Sequence, residues 1–162
     1  MNFMLRQLAA ADEHQEIREA VRALCRAFPD EYFRQIDEQR EYPQAFVDAL
    51  MAAGWLSAMI PEEYGGAGLG LTAASVIMEE INRSGANSAA VHGQMYNMGT
   101  LLRNGSRAQK ERYLPEIAAG RLRIQSMAVT EPTSGTDTTQ IRTSAMWSTA
   151  RRCGLRAFAT RT

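Results

Sequence analysis

Apolar residues recur every three or four positions through six successive segments of this chain, with glycine or proline between most of them. This spacing places the apolar side chains of each segment on one face of an α-helix. After the sixth segment comes a short continuous apolar run, residues 124–129, whose length suits a buried strand. Helices followed by a strand, without βαβ alternation, predict a mostly α fold: an all-helical domain, then the start of a β domain.

Capping residues set the expected helix ends. The first helix is predicted to open at Asp12, with Gln15 in capping-box position, and to run through Phe28 until Pro29 stops it. Ser106 and Gln109 form the same pattern at the start of the sixth helix. Glycines stand where C-terminal caps are expected, at Gly54, Gly85, Gly105 and Gly120.

The fourth predicted helix, at about residues 72–84, is amphipathic. Its apolar face carries Val76, Ile77 and Ile81. Its other face carries Glu79, Glu80 and Arg83 and is expected to be polar.

The glycine-rich segment at residues 60–72 is not a phosphate cradle. Gly65 and Gly70 have P-loop spacing, but Leu71 stands where that motif needs a lysine. The dinucleotide fingerprint also fails, because a helix and a connector precede the glycines instead of a strand. We interpret the segment as a link that leads into the fourth helix.

Charge and cysteine content exclude several classes of function. The 162 residues include 18 Lys plus Arg and 18 Asp plus Glu, which gives no electrostatic case for nucleic acid or an anionic membrane. Cys25 and Cys153 form neither a CxxC pair nor a disulfide framework, which indicates a reducing compartment. We therefore expect a soluble, cytoplasmic protein.

Hydroxyl groups cluster directly after the predicted strand. Thr130, Thr133, Ser134 and Thr136 surround Gly135, where a ligand could approach the backbone. Small donors on a strand-end loop suit a polar ring or a diphosphate. The alternative is a hydrophilic turn between two strands.

Three motifs occur in the order found in one enzyme family: P-E-E-Y-G-G, S-x-x-Q-K-x-x-Y-L-P and V-T-E-P-T-S-G-T-D. Over about residues 5–145 the chain resembles the acyl-CoA dehydrogenase family. The resemblance implies an N-terminal helical domain at residues 1–120 and the start of the middle β domain at residues 121–145. In the whole family fold a C-terminal four-helix domain follows, and FAD lies between the last two domains.

The resemblance also implies site residues. Met127, Ala128, Val129 and Thr130 would border the isoalloxazine ring of FAD. Gly135 and Thr136 would lie at the flavin diphosphate, and the Thr136 hydroxyl would also reach the acyl-CoA. Thr133 and Thr136 replace a frequent Gly and Ser of the family, but both keep small side chains.

Ala89 and His92 are further candidates, because the fifth helix would lie beside the acyl chain. His92 has no second ligand at metal spacing, so we expect no metal site there. Ordinary packing or partial exposure of the histidine is the alternative. The methionines of this helix could form an adaptable apolar wall or simply belong to the core.

The chemistry implied is α,β-dehydrogenation of an acyl-CoA, in which a carboxylate removes the α proton and a hydride passes to flavin N5. The family's catalytic glutamate belongs to the C-terminal domain, and this sequence has no acidic residue after Asp137. We therefore expect no catalytic residue in this chain and an N-terminal fragment that is inactive alone. The alternative is a non-catalytic helical module that binds acyl-CoA or a protein. Homotetramer assembly and electron transfer to an electron-transferring flavoprotein are implied by the family only.

Residues 146–162 depart from the family pattern. They contain four arginines, no acidic residue and no strand alternation, where the family continues with strands and a Trp-containing flavin segment. We expect out-of-frame translation or a sequencing error after Ala145. A genuine basic tail for a partner is the alternative.

Overall fold

The computed structural model describes residues 14–124 and 135–140. The described part is mostly helical, as predicted, and contains six α-helices. They are α1 (Gln15–Cys25), α2 (Asp30–Gln39), α3 (Gln44–Ala52), α4 (Leu71–Arg83), α5 (Ala89–Asn104) and α6 (Arg107–Ala118). Single 3-10 turns occur at Trp55–Ser57, Glu62–Tyr64 and Thr138–Gln140. The predicted strand begins at Ile124, and its remaining residues, 125–129, lie outside the described residues.

Helix α1 is shorter than its apolar stripe predicts. It ends at Cys25, and residues 26–28 form a turn and a bend before Pro29. A proline disfavours helical backbone in the residue before it, which explains why Phe28 is not helical. The expected cap at Asp12 lies outside the described residues, and the described helix begins after His14.

Four aromatic rings join the first three helices. Phe28 contacts Tyr32 and Phe46 edge-on, with ring centroids 5.2 Å apart in both pairs. Phe33 makes the same type of contact with Tyr32 and Phe46. Edge-to-face geometry is the favoured arrangement of such rings, so this cluster fixes how α2 and α3 pack on the end of α1.

The hydrophobic core continues from this cluster through the remaining helices. Its largest fully buried apolar side chains are Phe46, Leu50, Ile60, Ile77, Ile81, Met98 and Leu114. They come from α3, α4, α5, α6 and the segment before α4. One core therefore unites the described helices.

Glu80 is an exception on the polar face of α4, where Glu79 and Arg83 are exposed. Its side chain is fully buried and accepts hydrogen bonds from Arg18 Nη1 (2.6 Å) and from Arg22 Nη2 (2.8 Å) and Nε (2.5 Å). Hydrogen bonds from Arg22 and then from Arg18 hold the pKa of Glu80 below its ordinary value, against the effect of burial. The sequence prediction failed because both partners lie about sixty residues earlier, on α1.

The segment before α4 folds back on itself. The amides of Gly66, Gly68 and Leu69 donate to the carbonyls of Pro61, Ile60 and Ala58. A Cβ atom at Gly66 would lie 2.1 Å from the Ile60 carbonyl oxygen, so only glycine permits this approach. These amides are engaged by the chain itself and do not point to a phosphate.

Helix α6 has the predicted capping box. Ser106 Oγ accepts from the Gln109 amide, and the Gln109 side chain accepts from the Ser106 amide. Gly54, Gly85 and Gly120 have positive φ, as expected of C-terminal caps. Gly105 does not have positive φ. Its backbone is extended, with φ −67° and ψ 140°, where α5 ends.

Candidate functional site

A cavity of about 430 Å³ lies between α4, α5 and the residue Met59. Its apolar wall consists of Met59, Leu71, Ala74, Met78, Met95, Gly99 and Leu102. Its polar part consists of Ser75, His92, Tyr96, Thr100, Arg103 and Asn104. Small-molecule sites have volumes of roughly 300–1,000 Å³ and this mixture of a large apolar wall with a few polar groups.

Three methionines form a large part of the apolar wall of the cavity. Met59 precedes α4, Met78 lies on α4 and Met95 on α5, so the wall draws on three separate parts of the chain. Unbranched thioether side chains adapt to irregular apolar surfaces. The wall can therefore follow the shape of a flexible hydrocarbon group.

Apart from Ser75 on α4, the polar part follows α5. His92 and Tyr96 are one helical turn apart, and their ring centroids are separated by 5.1 Å. The Thr100 hydroxyl, a further turn along, donates to the Tyr96 carbonyl at 3.0 Å. Because His92 is exposed, this row of polar side chains stands at the solvent side of the cavity.

The structure separates the two residues that were predicted to line an acyl site. His92 lines the cavity. Ala89 is the first residue of α5, is exposed, and is not among the cavity's lining residues. Its backbone amide donates a hydrogen bond to Asn87 Oδ1 at 2.8 Å.

Only part of the predicted flavin site falls within the described residues. Gly135 and Thr136 are both exposed, whereas Met127, Ala128, Val129 and Thr130 lie outside the described residues. A Cβ atom at Gly135 would have no neighbour within 4 Å among those residues, so its backbone is open to a ligand. An open glycine followed by a hydroxyl fits the polar part of FAD.

Asp137 organises the turn after these two residues. Its carboxylate accepts hydrogen bonds from the Thr139 hydroxyl and from the Thr139 amide. The bond from the Thr139 side chain is the main reason that the pKa of Asp137 lies below its ordinary value. The carboxylate is thus hydrogen-bonded within its own turn and is stabilised in its ionised form.

Two residues that sequence reasoning did not single out are Gln94 and Asn97. Both amide side chains are buried on α5, and both contact the backbone of Ile124. The available signal was a pair of amides three positions apart on the apolar side of a helix, which demands hydrogen-bond partners.

Two negative findings apply to residues 14–124 and 135–140. No cluster of three or more His, Cys, Asp or Glu side chains there could hold a metal ion. In the same ranges, no helix has the length and apolar character needed to cross a membrane.

The described part of the chain is a helical domain with a largely apolar cavity, the kind of site that takes the hydrocarbon part of a small molecule. The family model described as "Acyl-CoA dehydrogenase, N-terminal domain" matches residues 11–121. The chain belongs to the acyl-CoA dehydrogenase family, whose members are FAD-dependent oxidoreductases, and it covers the family's N-terminal domain.

Individual relatives agree. The chain is 34% identical over 136 residues to the "Probable acyl-CoA dehydrogenase FadE25" of Mycobacterium tuberculosis, a match that covers 83% of this chain and 34% of that protein. It is similar to a glutaryl-coenzyme A dehydrogenase in complex with glutaryl-CoA, with a TM-score of 0.66 and 28% identity over 80% of this chain and 34% of the other.

An acyl-CoA dehydrogenase from Bacillus anthracis, solved with FAD, gives a TM-score of 0.60 and 29% identity over 78% of this chain and 22% of the other. The chain thus spans about a third or less of the length of these relatives.

Proposed function

We propose that this chain provides the acyl-facing helical wall and the first flavin-contacting residues of an acyl-CoA dehydrogenase. The observation that carries the proposal is the cavity between α4 and α5, with its methionine wall and its row of polar side chains on one side. Its volume and apolar lining suit the hydrocarbon part of an acyl thioester.

The residues have distinct proposed roles. Met59, Met78 and Met95 would contact the acyl chain, and His92 would contact it nearer the solvent side of the cavity. Gly135 and Thr136 would hold the diphosphate of FAD through a backbone amide and a hydroxyl, with Thr136 also reaching the thioester substrate. Met127, Ala128, Val129 and Thr130 would border the flavin ring, which supplies the hydride acceptor when FAD is bound.

We further propose that the 162-residue polypeptide, assayed alone, does not turn over acyl-CoA. Support comes from the share of the relatives that it covers, about a third of their length. The family resemblance, which implies that the catalytic glutamate belongs to the C-terminal domain, points the same way. Homotetramer assembly and reoxidation by an electron-transferring flavoprotein are part of the same proposal, by family analogy. A cytoplasmic location is proposed separately, because Cys25 and Cys153 form no disulfide framework.

A second candidate function is acyl-CoA binding without flavin. The observation in its favour is that the cavity is lined by α4, α5 and Met59, none of which belongs to the predicted flavin loop. This module would bind the thioester whether or not FAD is present.

Titration with FAD and with octanoyl-CoA, each followed by calorimetry, separates the two candidates. The dehydrogenase proposal predicts that FAD binds and that the bound flavin absorbs in the visible range. Binding of octanoyl-CoA by a protein that never binds FAD would favour the module. Failure to bind either probe would overturn both.

Gly99 offers a direct test of the cavity. It lies mid-helix on α5, and a Cβ there would meet only the flexible end of Met59, at 4.0 Å. We expect Gly99→Leu to fill the cavity and weaken octanoyl-CoA binding at least about tenfold, since a bulky side chain would exclude the ligand. Gly99→Ala is the matched control, because it adds helix propensity of roughly 1 kcal/mol without occupying the cavity.

A further inference from the structure

Gln94 and Asn97 bind both main-chain groups of one residue. Gln94 Oε1 accepts a hydrogen bond from the Ile124 amide at 3.0 Å. Asn97 Nδ2 donates to the Ile124 carbonyl at 3.2 Å and to the Gly93 carbonyl at 2.7 Å. Side chains of α5 thereby supply the donor and the acceptor that a neighbouring strand would otherwise give to Ile124.

Burial makes this pairing specific. Gln94 is 2% exposed and Asn97 is 7% exposed, on the face of α5 that also buries Val91 and Met98. A buried polar group without a partner costs roughly 1–3 kcal/mol, so the loss of Ile124 would leave the Gln94 side-chain oxygen without this donor, while Asn97 would keep only its bond to Gly93. The converse also holds, since the Ile124 backbone would lose both partners if it moved.

The residues just before Ile124 are fixed as well. The amides of Arg121 and Leu122 donate to the Glu116 carbonyl, at the end of α6. Arg123 is buried, and its guanidinium lies over the Tyr42 ring, 5.5 Å from the centroid. The chain is therefore held by α6, by the segment between α2 and α3, and by α5 within four successive residues.

We propose that Gln94 and Asn97 are positioning residues that fix the register in which the chain leaves the helical domain toward the predicted flavin strand. Ile124 precedes Met127 by three residues, which span at most about 11 Å. Because successive side chains of a strand point to opposite faces, a slip of one residue would exchange which side chains of Met127–Thr130 face the flavin. The flavin part of this inference rests on the proposed function.

The test compares the 162-residue wild type with Gln94→Met and Asn97→Leu. Both substitutions keep the approximate side-chain shape and remove the hydrogen bond to Ile124, and Asn97→Leu also removes the bond to the Gly93 carbonyl. Ile81→Val, in the core on α4, is the control for a general loss of stability. Amide hydrogen exchange by NMR and FAD affinity by flavin fluorescence are measured for all four proteins.

We expect Gln94→Met to accelerate exchange at Ile124 and at residues 127–130 about tenfold beyond the change seen in Ile81→Val. The loss of one buried hydrogen bond that leaves its partner unsatisfied costs enough free energy to change an exchange rate by about this factor. Asn97→Leu should accelerate exchange at residues 127–130 while Ile124 keeps its bond to Gln94. Both variants should bind FAD about tenfold more weakly than Ile81→Val.

Three results would count against the inference or separate it from the proposed function. Exchange equal to that of Ile81→Val would overturn the positioning role. Faster exchange with unchanged FAD affinity would show that the contact is structural only. If wild type does not bind FAD, the proposed function fails, and exchange at residues 127–130 still decides whether Gln94 and Asn97 position them.

Discussion

Glu80 shows how much a single residue can depend on distant parts of the chain. Its side chain is fully buried, whereas its neighbour Glu79 is 54% exposed, although both bind Arg18. Exposed ion pairs contribute little to stability, but removing one partner of a buried pair leaves an uncompensated charge. The two adjacent glutamates should therefore differ sharply in their effect on folding.

We expect Glu80→Gln to lower the free energy of unfolding by about 3 kcal/mol, because Arg18 and Arg22 would lose their shared carboxylate. Glu79→Gln should cost less than about 1 kcal/mol, since its ion pair is exposed to solvent. Urea denaturation followed by circular dichroism measures both values. Equal effects of the two substitutions would contradict the buried role of Glu80.

The same carboxylate makes stability depend on pH. The arginines hold the pKa of Glu80 in the folded state below its ordinary value of 4.5. A depressed carboxyl pKa contributes stability that is fully present above 4.5 and is lost as the pH falls toward the folded-state pKa.

We therefore expect the difference in unfolding free energy between wild type and Glu80→Gln to be constant above pH 4.5 and to shrink below it. The arginines remain charged throughout, so only the carboxylate changes. Urea titrations at a series of pH values give this difference directly. A gap that widens on acidification would show that Glu80 is not stabilised as the ionised form.

At the scale of elements, helix positions were predictable and contacts between helices were not. The apolar spacing and the Ser106 capping box placed α6 within about one residue, because these signals are local. The pairing of Glu80 with α1 and of Gln94 with Ile124 joins residues 58 and 30 positions apart, respectively. Such pairs depend on how helices pack, which periodicity alone does not specify.

The candidate site was likewise predictable only in part, because its lining comes from several segments that pack together. The fifth helix was predicted beside an acyl chain from family resemblance, and His92 does line the cavity. The cavity itself also needs Met59 and the α4 residues Met78 and Leu71, whose approach to α5 follows from tertiary packing. Ala89 does not line this cavity, and its role beside an acyl chain stays a prediction.

The segment before α4 supplies a prediction about backbone geometry. Gly66 approaches the Ile60 carbonyl, whereas Gly54 has φ +80° and open space around its Cβ position. We expect Gly66→Ala to be the more destabilising change, because the new Cβ would clash with the Ile60 carbonyl. Gly54→Ala should cost about 1–2 kcal/mol, from its left-handed backbone alone. Thermal melts of the two variants would rank them, and the reverse order would contradict the folded-back loop.

At the scale of the whole molecule, the described helices share a core that extends from Val21 on α1 to Ile117 on α6. Ile124 packs against this core and is also tied to α5 by its backbone. The motifs for flavin follow this point in the sequence. Folding of the helical unit and binding of flavin are therefore expected to be separable.

A chain that ends after Ile124 tests this separation. We expect it to keep the helical circular dichroism spectrum and a cooperative melt within about 4 °C of the full 162-residue chain, a shift that corresponds to roughly 1 kcal/mol or less for a domain of this size. It should lose FAD binding, because Thr130, Gly135 and Thr136 are removed.

A second chain that ends after Ala118 should melt at a lower temperature, since Gln94 and Asn97 would lose their hydrogen bonds to Ile124. If removal of residues 125–162 alone abolished the cooperative melt, those residues would have to complete the core, and the helical unit could not be treated as an independent folding domain.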